Sequence, residues 1–199
     1  MKKFRLICLI AILVFVLAGC GKSGESDDGK TNITIAKNGE ISYRIRDSFT
    51  ESYYNIEELK SMINEEVGDF NSRSGGQKVS LESAELANQI VNVVMKFSDD
   101  LAFSGFNGIP FFVGNGSDAI ANGQSLDAIL TDIKDATKTI SGADLRSMSK
   151  ENILVYDGED TVYLPSKILY VSDNCSILEG STAVRRIDGS TGAIYVVYK

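Results

Sequence analysis

From residue 32 onward the chain alternates apolar and polar side chains. Ile33 and Ile35, then Ile41, Tyr43 and Ile45, fall on one side, and Ser42, Arg44 and Arg46 fall on the other. A period of two predicts strands over 32–36 and 41–47, joined through Lys37-Asn38-Gly39-Glu40. Asn38-Gly39 offers both positive-φ residues of a two-residue type I′ turn, so the pair is expected to be an antiparallel hairpin. After Phe49 and Tyr53-Tyr54 the period becomes helical, with Ile56, Leu59, Ile63, Val67 and Phe70 at spacings of three and four. Asn55 is placed to cap that helix, and Glu57 and Glu58 suit its positive N-terminal end. Asn71 to Gly76 is expected to end it as a turn-rich loop.

Two further strands are expected over 79–83 and 90–97. Ser98-Asp99-Asp100 reads as a cap before a short helix carrying Leu101 and Phe103. Ile109 to Val113 is a brief apolar run, 118–122 a helical turn, 126–136 a short helix with Leu126, Ile129, Leu130 and Ile133 on one side, and 141–149 another turn of helix. From Asn152 the pattern is strand-like, over 153–156, 162–164, 168–172, 183–187 and 193–198. Asp157-Gly158, Glu179-Gly180 and Asp188-Gly189 separate these strands. Short connections favour antiparallel pairing. The expected fold is α+β, with an N-terminal hairpin, one amphipathic helix and a β-rich C-terminal half.

The first twenty residues follow a different rule. Lys2, Lys3 and Arg5 precede an unbroken apolar run from Leu6 to Val16, and Leu17-Ala18-Gly19-Cys20 closes it with small residues before a cysteine. That is the layout of a secretory signal, and the run is short for a bilayer span, which takes about 20 apolar residues. Its ending resembles the lipobox of bacterial lipoproteins. The resemblance implies that the Cys20 thiol receives a diacylglyceryl group and that a dedicated peptidase cuts before it. The expected organisation is then a signal peptide over 1–19, a lipidated Cys20 and tether over 20–31, and a single domain over 32–199. Gly21 to Lys30 has no apolar side chain, and ten such residues reach roughly 17 Å. The expected location is the outer face of the cell membrane, held through Cys20.

Charge and composition narrow the functional classes. All three basic residues of the signal are lost on cleavage, leaving 17 basic against 27 acidic residues. A net charge near minus ten argues against nucleic acid and against anionic lipid as ligands. There is no histidine, so the commonest general base and metal ligand is absent; neither a cofactor nor a metal is expected. With Cys8 discarded and Cys20 alkylated, Cys175 is the one remaining thiol. It reads as a small buried apolar residue.

Several patterns still invite a chemical reading. Gly114-Asn115-Gly116-Ser117-Asp118-Ala119 fits G-x-G-x-x-A, the dinucleotide fingerprint, but no βαβ unit with an acid about 20 residues on accompanies it. Ser147-Met148-Ser149-Lys150, Ser172-Asp173-Asn174 and Ser190-Thr191-Gly192 follow the order of the S-x-x-K, S-D-N and K-T-G motifs of β-lactamases. The third departs from that pattern at Ser190, and the interval from 147 to 192 has no room for the helical domain that separates the motifs in those enzymes. Asp157, Glu159 and Asp160 read as hairpin-turn acids. Tyr156, Tyr163, Tyr170, Tyr195 and Tyr198 are either packing or one sugar- or peptide-binding face.

The lipobox, the Asn-Gly hairpin, Tyr53-Tyr54, Phe111-Phe112-Val113-Gly114, the strand from Lys167 to Ser172 and the closing Tyr195-Val196-Val197-Tyr198-Lys199 together resemble short lipoproteins of Gram-positive anaerobes. That resemblance implies lipidation at Cys20 and supplies no catalytic residues. The functional expectation is a lipid-anchored, non-enzymatic binding or interaction module, and the alternative is a lipid-anchored hydrolase acting on cell-wall material.

Overall fold

The computed structural model describes residues 29–199 apart from 179 and 181, so the signal, Cys20 and most of the tether lie outside the described residues. Within them, thirteen strands and four helices form two mostly antiparallel sheets, an α+β, β-rich fold as the patterning predicts. The first sheet runs in the order β11 (Cys175–Leu178), β12 (Ala183–Arg186), β9 (Thr161–Tyr163), β1 (Asn32–Ile35), β2 (Ile41–Ser48), β4 (Ile90–Phe97) and β3 (Val79–Ala87). The second runs β5 (Phe111–Gly114), β8 (Asn152–Tyr156), β13 (Ile194–Tyr198), β10 (Ile168–Ser172), β6 (Leu130–Asp132) and β7 (Thr139–Ile140). The pairing of β1 with β9 is parallel.

The two sheets share one apolar core. Ile33, Ile41, Val93 and Phe97 from the first sheet meet Leu154, Tyr156, Val196 and Tyr198 from the second. Helix α2 (Asp100–Asn107), capped by Asp99 as expected, drives Phe103 into the junction. Phe103 is fully buried, with ring centroids 5.4 Å from Tyr43, 5.1 Å from Phe97 and 4.6 Å from Phe111. The second sheet is buried on its other face as well. There Phe112, Ile153, Val155 and Val197 pack with Leu126, Leu130 and Leu145 under α3 (Gly116–Ala121) and α4 (Gly142–Ser147). Burial on both faces explains why β8 and β13 read as continuous apolar runs rather than alternating ones.

The hairpin forms with the expected register, Ile35 opposite Ile41, yet its turn is a different one. Gly39 N–H donates to Ala36 O at 3.0 Å and Ala36 N–H to Glu40 O at 2.8 Å, and only Gly39 has positive φ, at 87°. The loop is thus three residues, a turn closed by a left-handed glycine bulge. The two-residue turn with both central φ positive lies elsewhere, at Asn88 (51°) and Gln89 (61°) between β3 and β4. Phe49 N–H donates to Gln89 O at 2.8 Å, so the end of β2 holds that turn in place.

Helix α1 (Ile56–Ser74) starts where predicted, with Asn55 Oδ1 accepting from Glu57 N–H at 2.9 Å. It runs four residues further than the pattern implies and ends on Gly75, left-handed at φ 71°. Asn71, expected in a loop, is the reason. From the last turn its side chain accepts from Val79 N–H (3.0 Å) and donates to Val79 O (2.8 Å), fastening helix to strand.

The segment 126–136 is not a helix. Leu130–Asp132 is β6, paired between β10 and β7, and Asp132 Oδ1 accepts from Lys134 N–H (2.7 Å) and Asp135 N–H (3.2 Å), closing a turn at the point where a helix would continue. Ladder pairing overrides a spacing that by itself fits a helix. Strand β11 was not anticipated, because Cys175 to Leu178 is too short to carry a period.

The two left-handed positions respond oppositely to substitution. No atom lies within 4 Å of a Cβ built at Gly39, so Gly39→Val introduces backbone strain alone and is expected to destabilise by about 1–2 kcal/mol. Gln89→Gly relieves strain and is expected to stabilise by up to about 1 kcal/mol. Thermal midpoints of the two variants check this: a lower midpoint for the first and an equal or higher one for the second are expected, and the reverse order would contradict the assignment.

Candidate functional site

A mainly apolar groove lies where α1 meets the first sheet. Tyr43, Ile45, Val93 and Met95 occupy one face of β2 and β4, the face an amphipathic helix should cover. Helix α1 faces these strands across a cleft and is fastened to the edge strand β3 through Asn71. Its stripe of Ile56, Leu59, Ile63, Val67 and Phe70 is only half-buried, and no residue of the helix is fully buried. Between helix and strands a groove of about 390 Å³ remains, within the range of small-molecule sites. Ile45, Val91, Val93 and Met95 form its floor, Leu59 and Ile63 its roof, and Phe106 of α2 closes one end.

The mouth is aromatic and acidic. Phe49 and Tyr54 approach to 4.7 Å between centroids, and Tyr53 stands edge-on to Tyr54 at 4.9 Å. Tyr53 is 74% exposed and Tyr54 44% exposed, a large share for aromatic side chains beside an apolar cleft. Asp47 and Glu66 line the same groove, which has no cationic side chain in its wall. The Tyr54 hydroxyl is held above the usual phenol range, first by neighbouring Tyr53 and further by the negative charges of Glu51 and Asp47.

The motifs singled out in the sequence resolve into packing devices. In the glycine-rich stretch, β5 does lead into α3, and Asn115 and Asp118 form a capping box. A Cβ at Gly116, however, would stand 2.3 Å from Leu145 O, and Gly116 N–H donates to Met148 O at 2.8 Å. The glycine allows two short helices to touch rather than a phosphate to approach.

Of the β-lactamase-like tripeptides, the second and third come together and the first stays apart. Asn174 Nδ2 lies 3.1–3.3 Å from the carbonyls of Thr191, Gly192 and Ala193. Ser172 Oγ donates to Asn174 Oδ1 (2.7 Å) and accepts from Tyr195 N–H (3.0 Å). These bonds sew the β10–β11 crossing to the β12–β13 crossing. Ser147 Oγ donates to Asp144 O within its own helix at 2.7 Å.

Asp157, Glu159 and Asp160 do not sit in a hairpin turn, because β8 and β9 belong to different sheets. Asp160 Oδ2 accepts from Tyr43 on the first sheet (3.0 Å) and from Tyr156 on the second (3.3 Å). Burial, and after it the Asp160 charge, pushes both hydroxyls well above the usual phenol range. Asp157 and Glu159 pair with Arg186 at 2.9 and 3.3 Å. All three acids therefore hold the crossing together.

The five C-terminal tyrosines do not share a face. Tyr156 and Tyr198 are buried between the sheets, whereas Tyr170 and Tyr195 pack against the outer cluster of the second sheet. Cys175 is buried as expected, and burial pushes its thiol up to about 12. No group of three or more His, Cys, Asp or Glu is placed to hold a metal among the described residues. The groove residues Asp47, Phe49, Tyr54 and Glu66 carried one sequence signal, an aromatic cluster just ahead of an amphipathic helix. That cluster reads equally as core. No protein-family model, curated protein or solved structure matches the chain.

Proposed function

We propose that the chain is a lipid-anchored, extracytoplasmic binding module whose ligand site is the groove beneath α1. The lipobox ending at Cys20 supports the anchor, and no described helix is long and apolar enough to cross a membrane by itself. The groove carries the binding reading. Its floor and roof are apolar, its volume suits one small ligand, and a few polar groups, Asp47, Tyr54 and Glu66 among them, line it, as in a small-molecule site. A ligand entering there buries apolar surface that α1 leaves uncovered, at about 25 cal/mol per Å² before the costs of association. Lipidation would hold the site near the membrane surface, since the tether is short.

The anchor rests on one sulfur. Cys20→Ser is expected to abolish incorporation of labelled fatty acid and partitioning into a detergent phase, because acyl burial supplies the membrane affinity of so acidic a domain. Correctly trimmed Cys20→Ser protein that stays membrane-bound in high salt would contradict it.

The groove is tested separately with an uncharged decyl alcohol carrying a photoreactive diazirine, added to the full chain in nanodiscs of uncharged glycolipid. Adducts are expected on peptides containing α1 and β4, and Ile63→Trp, which fills the roof, is expected to reduce them at least fivefold with a thermal midpoint near that of the wild type. Adducts spread evenly over the surface, indifferent to Ile63→Trp, would overturn the site.

A further inference from the structure

We infer that the groove beneath α1 selects amphiphiles with a cationic head, an alkylammonium whose chain lies along the groove and whose head sits among Phe49, Tyr53 and Tyr54 at the mouth. This inference rests on the groove being a binding site and goes beyond it by naming the chemistry of the ligand.

Three observations converge on the choice. First, the charge lining the groove has one sign: Asp47 and Glu66 line it, no Lys or Arg does, and neither carboxylate is ion-paired among the described residues. One Asp47 oxygen accepts from Ser48 N–H at 2.7 Å, which fixes the carboxylate and leaves its second oxygen for a ligand. An anionic head would meet these charges in a groove with no Lys or Arg in its lining. A neutral head would gain little from them.

Second, the aromatic rings are grouped as an organic cation requires. Phe49, Tyr54 and Tyr53 stack in sequence, the first pair tilted by 32° and the second by 77°, so ring faces are presented in more than one direction. A quaternary or primary ammonium held against such faces gains cation–π attraction, which increases as water is excluded. Tyr53 and Tyr54 remain 74% and 44% exposed, so their rings stay accessible to a ligand.

Third, the groove behind the mouth is apolar for most of its length, with Val91, Val93 and Ile63 opposite one another. A bare inorganic or small organic cation would use the mouth and leave that space empty. A chain attached to the head fills it.

The test compares two diazirine-bearing decyl probes of equal length, one ending in trimethylammonium and one in sulfate, on the full chain in uncharged glycolipid nanodiscs and below micelle-forming concentrations. Labelling of α1 and β4 peptides by the ammonium probe is expected to exceed that by the sulfate probe at least tenfold. In Asp47→Asn combined with Glu66→Gln, which keeps shape and apolar surface, the preference is expected to fall below threefold. In Tyr54→Leu it is expected to fall while labelling by the uncharged decyl probe persists. Equal labelling by the two charged probes, with the uncharged probe still bound, would overturn head-group selection and leave the groove standing. Loss of groove labelling by all three probes would overturn both readings.

Discussion

The apolar face of the first sheet has to be covered, and the second sheet does not reach across all of it. Seven strands present that face, from Cys175 and Val184 on one flank to Val79 and Ala84 on the other. The second sheet closes the half around β9, β1 and β2, where Tyr43 and Tyr156 meet over Asp160. At the other half the cover changes from strand to helix. Phe103 fills the step between them, touching Tyr43, Phe97 and Phe111 at once. Helix α1 then spans what is left, and it is fastened at its end by Asn71 rather than by deep packing. A fully buried Leu or Ile is worth about 1.5–3 kcal/mol, and the α1 side chains are half-buried, so each contributes less than that. The groove is the consequence of a wide sheet covered by a narrow lid.

The chain crosses between the sheets five times as a result of the same division, and polar side chains concentrate at three of these crossings. Asp160 bridges the β8–β9 crossing through two tyrosine hydroxyls, and Arg186 gathers Asp157 and Glu159 beside it. Ser172 and Asn174 tie the β10–β11 crossing to the carbonyls of the β12–β13 crossing. Backbone that leaves one sheet for another forfeits its ladder bonds, and buried carbonyls need partners. Ser172, Asn174 and the acids at 157–160, which look like chemical motifs in a linear string, are therefore residues that satisfy the crossings.

Legibility in the sequence tracks how local the cause is. The hairpin, the capped helix with Asn55, and the strands 90–97 and 168–172 follow from periods and caps contained in a few residues. The turn at Gly39 was half legible: the glycine is left-handed, but the choice between a two- and a three-residue loop depends on how the strands twist and pair, which Asn-Gly alone does not encode. Residues 126–136 were misread because Leu126, Ile129, Leu130 and Ile133 suit a helix, while β10 and β7 are 30 and more and fewer than ten residues away and claim Leu130–Asp132 for pairing. The acids 157–160 were misread because the dipeptide Asp157-Gly158 marks a turn without saying which sheet the chain enters next. The groove was illegible for the same reason. Its stripe on α1 was visible, but half-burial is a property of the distance between helix and sheet.

Native-state hydrogen exchange addresses the division of cover most directly, because regions held by shallow contacts open without global unfolding. Amides of α1, from Leu59 to Asn71, are expected to exchange through an opening well below the global free energy, while those of β8 and β13 exchange only on global unfolding. Protection of α1 equal to that of β8 and β13 would contradict it, since the helix would then be an integral wall of the core rather than a lid over a groove.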